Sequence, residues 1–187
     1  SQLKALVSGV KAESDTKIYV DIEADITYNQ NLGDIYNGLD GFVINGKNHT
    51  LNVESFSTKN QTQTLFISIS NTEMNNWIVN FDEQVLNVTN TFSFAGFCET
   101  ATNSRFENIV FEGKLWFLVN PTQPITLKFG LFLNASAAAF NEITSNVFFG
   151  ALVVSAQADL NIYGAAIVGF SAENCIFSNC RIIGNLE

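Results

Sequence analysis

The chain has 187 residues, a size that suits one domain able to bury a core without disulfides or metals. Its formal charge of −9 leaves Arg105 and Arg181 as the arginines and the lysines scattered singly, which excludes a grip on phosphate backbones and disfavours acidic polysaccharides. Charged residues are only 14% against 47% hydrophobic, so this is no disordered tail, and no apolar run reaches the roughly 18 residues of a membrane helix.

In chain order, residues 1–15 come first. Leu3, Leu6, Val7 and Val10 fall at i, i+3, i+4 and i+7, which predicts a short amphipathic helix. The period then changes to two. Ile22, Ala24 and Ile26 alternate with Asp21, Glu23 and Asp25, as in a half-buried strand. A helix followed by a strand suits the start of a solenoid, where the helix covers the edge of the first coil.

From about residue 41 to 187 the chain repeats. Five strings, FVINGKNHTL, WIVNFDEQVL, FENIVFEGKL, SNVFFGAL and FSNCRIIGNL, close on Leu51, Leu86, Leu115, Leu152 and Leu186. The spacing is irregular, about 29–37 residues, and the segments are short, β-branched or aromatic, and bounded by turn residues. That pattern predicts an all-β fold, a right-handed parallel β-helix in a single domain, as a fragment of a longer protein. The 17 phenylalanines are spread along the chain, as if every layer adds rings to one core. Pro121 and Pro124 stand together in VNPTQP, which reads as a loop.

Each string carries an asparagine six or seven residues before its leucine: Asn45, Asn80, Asn108, Asn146 and Asn179. Asn accepts the left-handed backbone of a stacked turn, and its amide bonds to the Asn above and below, so these five are expected to form a ladder. Gly113, Gly150 and Gly184, two before the leucine, are expected to supply positive φ at another corner.

The string INGKNHTL at residues 44–51, preceded by a helix and a strand, resembles the start of right-handed β-helices of the pectin-lyase-like superfamily. Residues 92–187, with apolar-Gly starts and the Asn179-Cys180 pair, resemble GLUG-type repeats. The first resemblance implies a fold and carries no activity over.

Candidate sites are sparse. Asn48, Asn60, Asn87 and Asn134 head N-x-S/T sequons and are candidate N-glycosylation sites, which favour a secretory route. Cys175 and Cys180 lie five apart and either bridge a tight turn or pack as free thiols beside Cys98; the spacing does not suit zinc. Asp21, Glu23 and Asp25, with Asp34 and Asp40 nearby, offer carboxylates for calcium or sugar cleavage, although a solvated acidic face is the simpler expectation. Glu107, Glu142 and Glu173 each precede the asparagine-bearing strand of their copy and read as either a glutamate column or solvent-facing turns. The lone His49 reads as a turn residue, and no nucleophile system, phosphate loop or cofactor motif accompanies it. Trp77, Trp116, Tyr19, Tyr28, Tyr36 and Tyr163 are possible sugar platforms, with core packing the default for the tryptophans.

The expected function is therefore non-catalytic. The sequence reads as an extracellular, structural or adhesive module of a surface or secreted glycoprotein, with other copies of itself, surface proteins or glycans as partners, and with end-to-end filament assembly in prospect. Neither nucleic acid nor a cofactor is expected, and no catalytic or metal residue is assigned. The alternative is a polysaccharide lyase or hydrolase, or a glycan-binding β-helix.

Overall fold

The computed structural model describes residues 17–29, 38–56, 58–59, 62–154 and 158–184. The predicted helix over residues 1–15 and Tyr36, Asp34, Asn60 and Leu186 lie outside them. The described chain is all strand and turn, wound as a parallel β-solenoid.

The first coil holds β1 (Ile18–Asp21), β2 (Ile26–Tyr28) and β3 (Leu39–Asp40), and the second holds β4 (Phe42–Asn45), β5 (Thr50–Val53), β6 (Thr58–Lys59) and β7 (Thr62–Ser70). Longer strands build the next two coils: β8 (Glu73–Val88) with β9 (Phe92–Thr102), and β10 (Arg105–Val119) with β11 (Ile125–Ser136). β12 (Ala139–Val153), β13 (Leu160–Gly164) and β14 (Val168–Glu173) form the fifth, and β15 (Ile176–Ser178) and β16 (Arg181–Ile182) begin a sixth.

Equivalent strands stack in parallel into two sheets. One runs β1-β4-β8-β10-β12-β15, with β2, β5 and β16 on its flank, and the other runs β3-β7-β9-β11-β13, with β14 also on β11. Only the short β6–β7 pair is antiparallel among the described residues. Val43, Glu73, Arg105, Ala139 and Ile176 are successive register partners, so the coil grows from 30 to 32, 34 and 37 residues.

Two corners explain how so irregular a sequence stacks in register. At the first, Gly41, Asn71, Asn103, Ala137 and Asn174 all have left-handed backbone; at the second, Asn76, Asn108, Glu142 and Asn179 do. Asn71 and Asn76, Asn103 and Asn108, Ala137 and Glu142, and Asn174 and Asn179 are each five apart. The arm between the corners therefore keeps one length in every later coil. The growth occurs elsewhere, mainly in the connections 89–91, 120–124 and 154–159. Pro121 and Pro124 lie in the second of these, as the sequence predicts.

Asn tolerates this backbone because its side chain bonds locally and across coils. Asn103 Nδ2 donates to Asn71 Oδ1 (2.7 Å), and Asn71 Nδ2 to Asp40 Oδ1 (2.8 Å). At the second corner Asn108 Nδ2 donates to Asn76 Oδ1 (2.8 Å), and Asn76 to Asn45 Oδ1 (3.0 Å). Just inside the first corner a small hydroxyl closes the turn. Thr72 Oγ1 donates to the Ser70 carbonyl (2.7 Å) and Ser104 Oγ to the Thr102 carbonyl (2.8 Å). Both hydroxyls are buried, and each finds its partner in a carbonyl that also accepts a backbone amide from the neighbouring coil, Gly41 N–H at Ser70 and Asn71 N–H at Thr102.

The asparagine ladder thus exists with different members. Asn108 and Asn179 occupy the second corner, whereas Asn45 sits one position before it, level with Asn75. Asn80 and Asn146 are outward strand residues in one column with Asn52 and Glu112, where Asn80 Nδ2 meets Asn52 Oδ1 (3.1 Å). The leucine frame slips for the same reason. Leu51 is in register with Val79, while Leu86 pairs with Phe117, Leu115 with Phe149 and Leu152 with Leu118. Leu86, Leu115 and Leu152 stand 10, 7 and 10 residues past the corner residues Asn76, Asn108 and Glu142 on the same strands, so they fall on different rungs.

The glycines also differ from expectation. Gly113 has φ +127° at a bulge opposite Phe81, but the corner glycine is Gly41. Gly150 makes room for Trp116, since a Cβ there would come within 2.5 Å of its ring.

Phenylalanine fills the interior. Phe106, Phe140 and Phe177 stack along one column, with centroids 5.3 and 4.9 Å apart. An extra residue at Gly96–Phe97 pushes Phe97 inward, where it meets Phe66, Phe106, Phe111 and Phe132 edge-on. Edge-to-face rings at 5–6.5 Å are a favourable geometry for such pairs.

Candidate functional site

The first coil carries a row of three acids, Asp21, Glu23 and Asp25. β1 ends at Asp21, and buried Ile22 anchors a bend before β2, so Glu23 and Asp25 project into solvent. Above them lies the turn between β4 and β5, where Lys47 and Asn48 take left-handed backbone and the His49 amide closes onto the Gly46 carbonyl (2.8 Å). That turn aims two basic side chains at the acidic row. Lys47 Nζ lies 3.0 Å from Asp21 Oδ2 and 2.5 Å from Glu23 Oε1. His49 Nδ1 lies 3.2 Å from Asp25 Oδ1, which also accepts the Thr50 amide at 2.8 Å.

The row is thus paired between coils, which corrects the expectation of a merely solvated acidic face. The Thr50 amide and the His49 ring hold the Asp25 carboxyl below the usual range, and Glu23 with Asp21 holds the Lys47 ammonium above its own. A lysine fixed as a cation between two carboxylates is a poor general base. The Asp25–His49 contact, in contrast, orients an imidazole, as acid–base sites require. All five side chains are at least one-third exposed, so their pairing is screened and contributes little to stability. Asp40 instead ends the asparagine ladder of the first corner.

The remaining predicted residues are dispersed. Asn48 and Asn87 are exposed, the first on the turn just described and the second near the end of β8. Asn134 is half-buried in β11 and its amide donates to the Glu99 carbonyl (3.3 Å). Cys98, Cys175 and Cys180 are free thiols, which corrects the possible Cys175–Cys180 bridge. Cys175 Sγ meets the Glu173 carbonyl (3.4 Å), repeating the role of Thr72 and Ser104, and Cys180 Sγ meets the Phe140 carbonyl (3.4 Å). Full burial pushes the Cys98 thiol far up, which keeps it protonated.

Glu107, Glu142 and Glu173 form no column. Glu142 is a corner residue, Glu107 lies in the arm, and Glu173 pairs with Ser136 in the other sheet. Trp77 and Tyr28 are core residues. Trp116 is half-buried on the outer face against Phe148, 4.8 Å away, in a different column from Trp77. Tyr19 is exposed, and Tyr163 stands edge-on to Phe170 at 5.9 Å, with the Lys128 ammonium 3.5 Å from the Phe170 centroid.

Tyr163 and Phe170 belong to a second region, the strands β13–β16. Among the described residues β13 and β14 pair only with β11, and β15 and β16 only with β12. The solvent-exposed large apolar residues concentrate here, including Ile176, Phe177, Ile182, Ile183, Ile162 and Phe170. Unpaired strand edges with exposed apolar side chains form a template for another strand. The signal was present as apolar residues in the final repeat, but only the register shows that nothing described stacks on them.

Comparison with protein-family models, curated proteins and solved structures gives no match.

Proposed function

We propose that this chain is a non-catalytic, extracellular structural or adhesive solenoid module that works through its surfaces. The observation that carries this reading is the set of exposed apolar side chains on β13–β16, led by Ile176 at 67% and Ile182 at 59% exposure. Single exposed apolar side chains need no explanation, whereas a contiguous set on one edge marks an interaction surface. The resemblance of residues 44–51 to pectin-lyase-like β-helices and the sequons at exposed Asn48 and Asn87 agree with a secreted protein.

The purified chain tests this reading when incubated with a panel of neutral and acidic polysaccharides while new reducing ends and unsaturated products are measured. No turnover above buffer is expected. Saturable turnover that disappears in His49→Ala overturns the proposal in favour of the second reading, a polysaccharide lyase or hydrolase. That reading is favoured by one observation, the imidazole of His49 held by Asp25 beside the Lys47 cation.

A further inference from the structure

We infer that Asn87 carries an N-linked glycan whose first sugars lie on an apolar shelf of the same chain, built by Trp116, Val85 and Leu118 on the outer face. This rests on the reading of the chain as an extracellular module and names what covers that face.

The shelf looks sideways from the middle of the solenoid. Trp116 on β10 has Val85 of β8 as its register partner on one side and Gly150 of β12 on the other; two residues on, Leu118 is in register with Asn87. Their chain neighbours Phe117, Val119 and Val88 are buried, so Val85, Asn87, Trp116 and Leu118 share the outer face. Gly150 makes the shelf flat. A Cβ there would come within 2.5 Å of the Trp116 ring and 2.7 Å of the Phe148 ring, so the two rings converge over bare backbone with centroids 4.8 Å apart. An indole laid on a glycine has one face covered and presents the other outward. Val85, 55% exposed, extends the apolar surface on the β8 side.

The size of the shelf selects its occupant. It is three strands wide and runs from the Phe148 row to the Leu118 row, about 10 Å by 13 Å at ordinary sheet spacings. That is far below the roughly 800 Å² that each partner gives to a stable protein interface. A sugar ring suits it, because the C–H bonds of its face pack on an indole while its edge hydroxyls seek polar groups. Those groups are at hand. Lys114 is in register with Phe148, and Asn80, Glu112 and Asn146 form the next outward column.

Asn87 is placed to tether such a sugar. It is exposed near the end of β8 and heads Asn87-Val88-Thr89. One coil and two residues from Trp116 on the same face, its Cα stands roughly 8 Å from that of Trp116. Asn48, also exposed, stands between Lys47 and His49 among charged side chains, and Asn134 is half-buried. Attachment involves no oxidation or reduction. The Asn87 amide nitrogen attacks the anomeric carbon of a lipid diphosphate-linked oligosaccharide; the N–C bond forms, the C–O bond to the diphosphate breaks, and the amide loses one proton to a base of the transferase.

The test compares the 187-residue chain secreted from a glycosylating eukaryotic cell line with the bare chain made in bacteria. Glycopeptide mass spectrometry should find Asn87 occupied. The glycan should raise the melting temperature by about 2–4 °C relative to secreted Asn87→Gln, and Trp116→Ala should abolish that gain. Acrylamide quenching needs no substitution: Trp77 is buried, so the quenchable indole is Trp116, and the glycan should reduce its quenching about twofold. That measurement decides if Trp116→Ala fails to fold. Asn87 left bare while Asn48 is occupied overturns the inference. So does a melting gain that survives Trp116→Ala, or quenching equal with and without the glycan. Those outcomes leave the extracellular reading standing, whereas bare sequons throughout the protein isolated from its natural source remove that reading and the glycan together.

Discussion

Ala137 is the weak position of the first corner. Its column has Gly41, Asn71, Asn103 and Asn174, residues that enter the left-handed region readily, but Ala137 holds φ 50° with no side chain able to bond across coils. A non-glycine residue loses about 1–2 kcal/mol in that conformation. Glycine relieves this but loses about 0.5–1 kcal/mol more backbone entropy on folding. Since Ala137 is exposed, removing its methyl forfeits no packing. Ala137→Gly should therefore stabilise the fold by about 0.5–1 kcal/mol. Ala137→Asn should do better, by about 1–2 kcal/mol, because its amide can join the Asn103 ladder at about 0.5–1.5 kcal/mol per exposed bond.

The control is Ala135→Gly, two residues earlier, buried in β11 with no positive φ. It should cost about 1 kcal/mol or more through backbone entropy and a lost methyl contact. Urea midpoints at constant m-value, supported by melting temperatures, read all three; 1 kcal/mol corresponds to about 2–4 °C for a domain of this size. The two glycine variants should move in opposite directions. If Ala137→Gly loses as much stability as Ala135→Gly, the strained-corner account is wrong. If Ala137→Asn gains no more than Ala137→Gly, the inter-coil amide ladder adds nothing.

Two further predictions concern the interior and the charged coil. Ser145 is fully buried in a column between Phe111 and Ile182, and its hydroxyl has no partner, so Ser145→Ala should raise stability by about 1 kcal/mol in urea unfolding; a comparable loss would mean that the hydroxyl is satisfied. Asp25 has a lowered native pKa, so its contribution is present above the ordinary value of 3.8 and disappears as pH falls through the lower native value; Lys47 has a raised one, so its contribution is full below 10.5 and disappears as pH rises through the higher native value. Titration of the folded chain followed by NMR should accordingly read the Asp25 carboxyl below 3.8 and the Lys47 ammonium above 10.5, and unshifted titrations would refute the pairing.

The fold class was legible because its signal is distributed. Apolar alternation, scattered phenylalanine, turn-bound short segments and scarce proline all favour stacked strands, and no single misread residue reverses that. The register was less legible. The five-residue arm is visible as Asn71 and Asn76, Asn103 and Asn108, and Asn174 and Asn179, but Ala137 and Glu142 break the pattern where the backbone does not change. Closing leucines were easier to see, yet they stand at different distances past the corner, so they fall on different rungs. The inward turn of Phe97 was hidden for another reason. A bulge adds a residue without altering composition, and a period-two reading cannot detect it. Of the candidate site, the acids at Asp21, Glu23 and Asp25 were legible as a row, but their neutralisation was not. Lys47 meets Asp21 and Glu23 only when one coil has been wound onto the next.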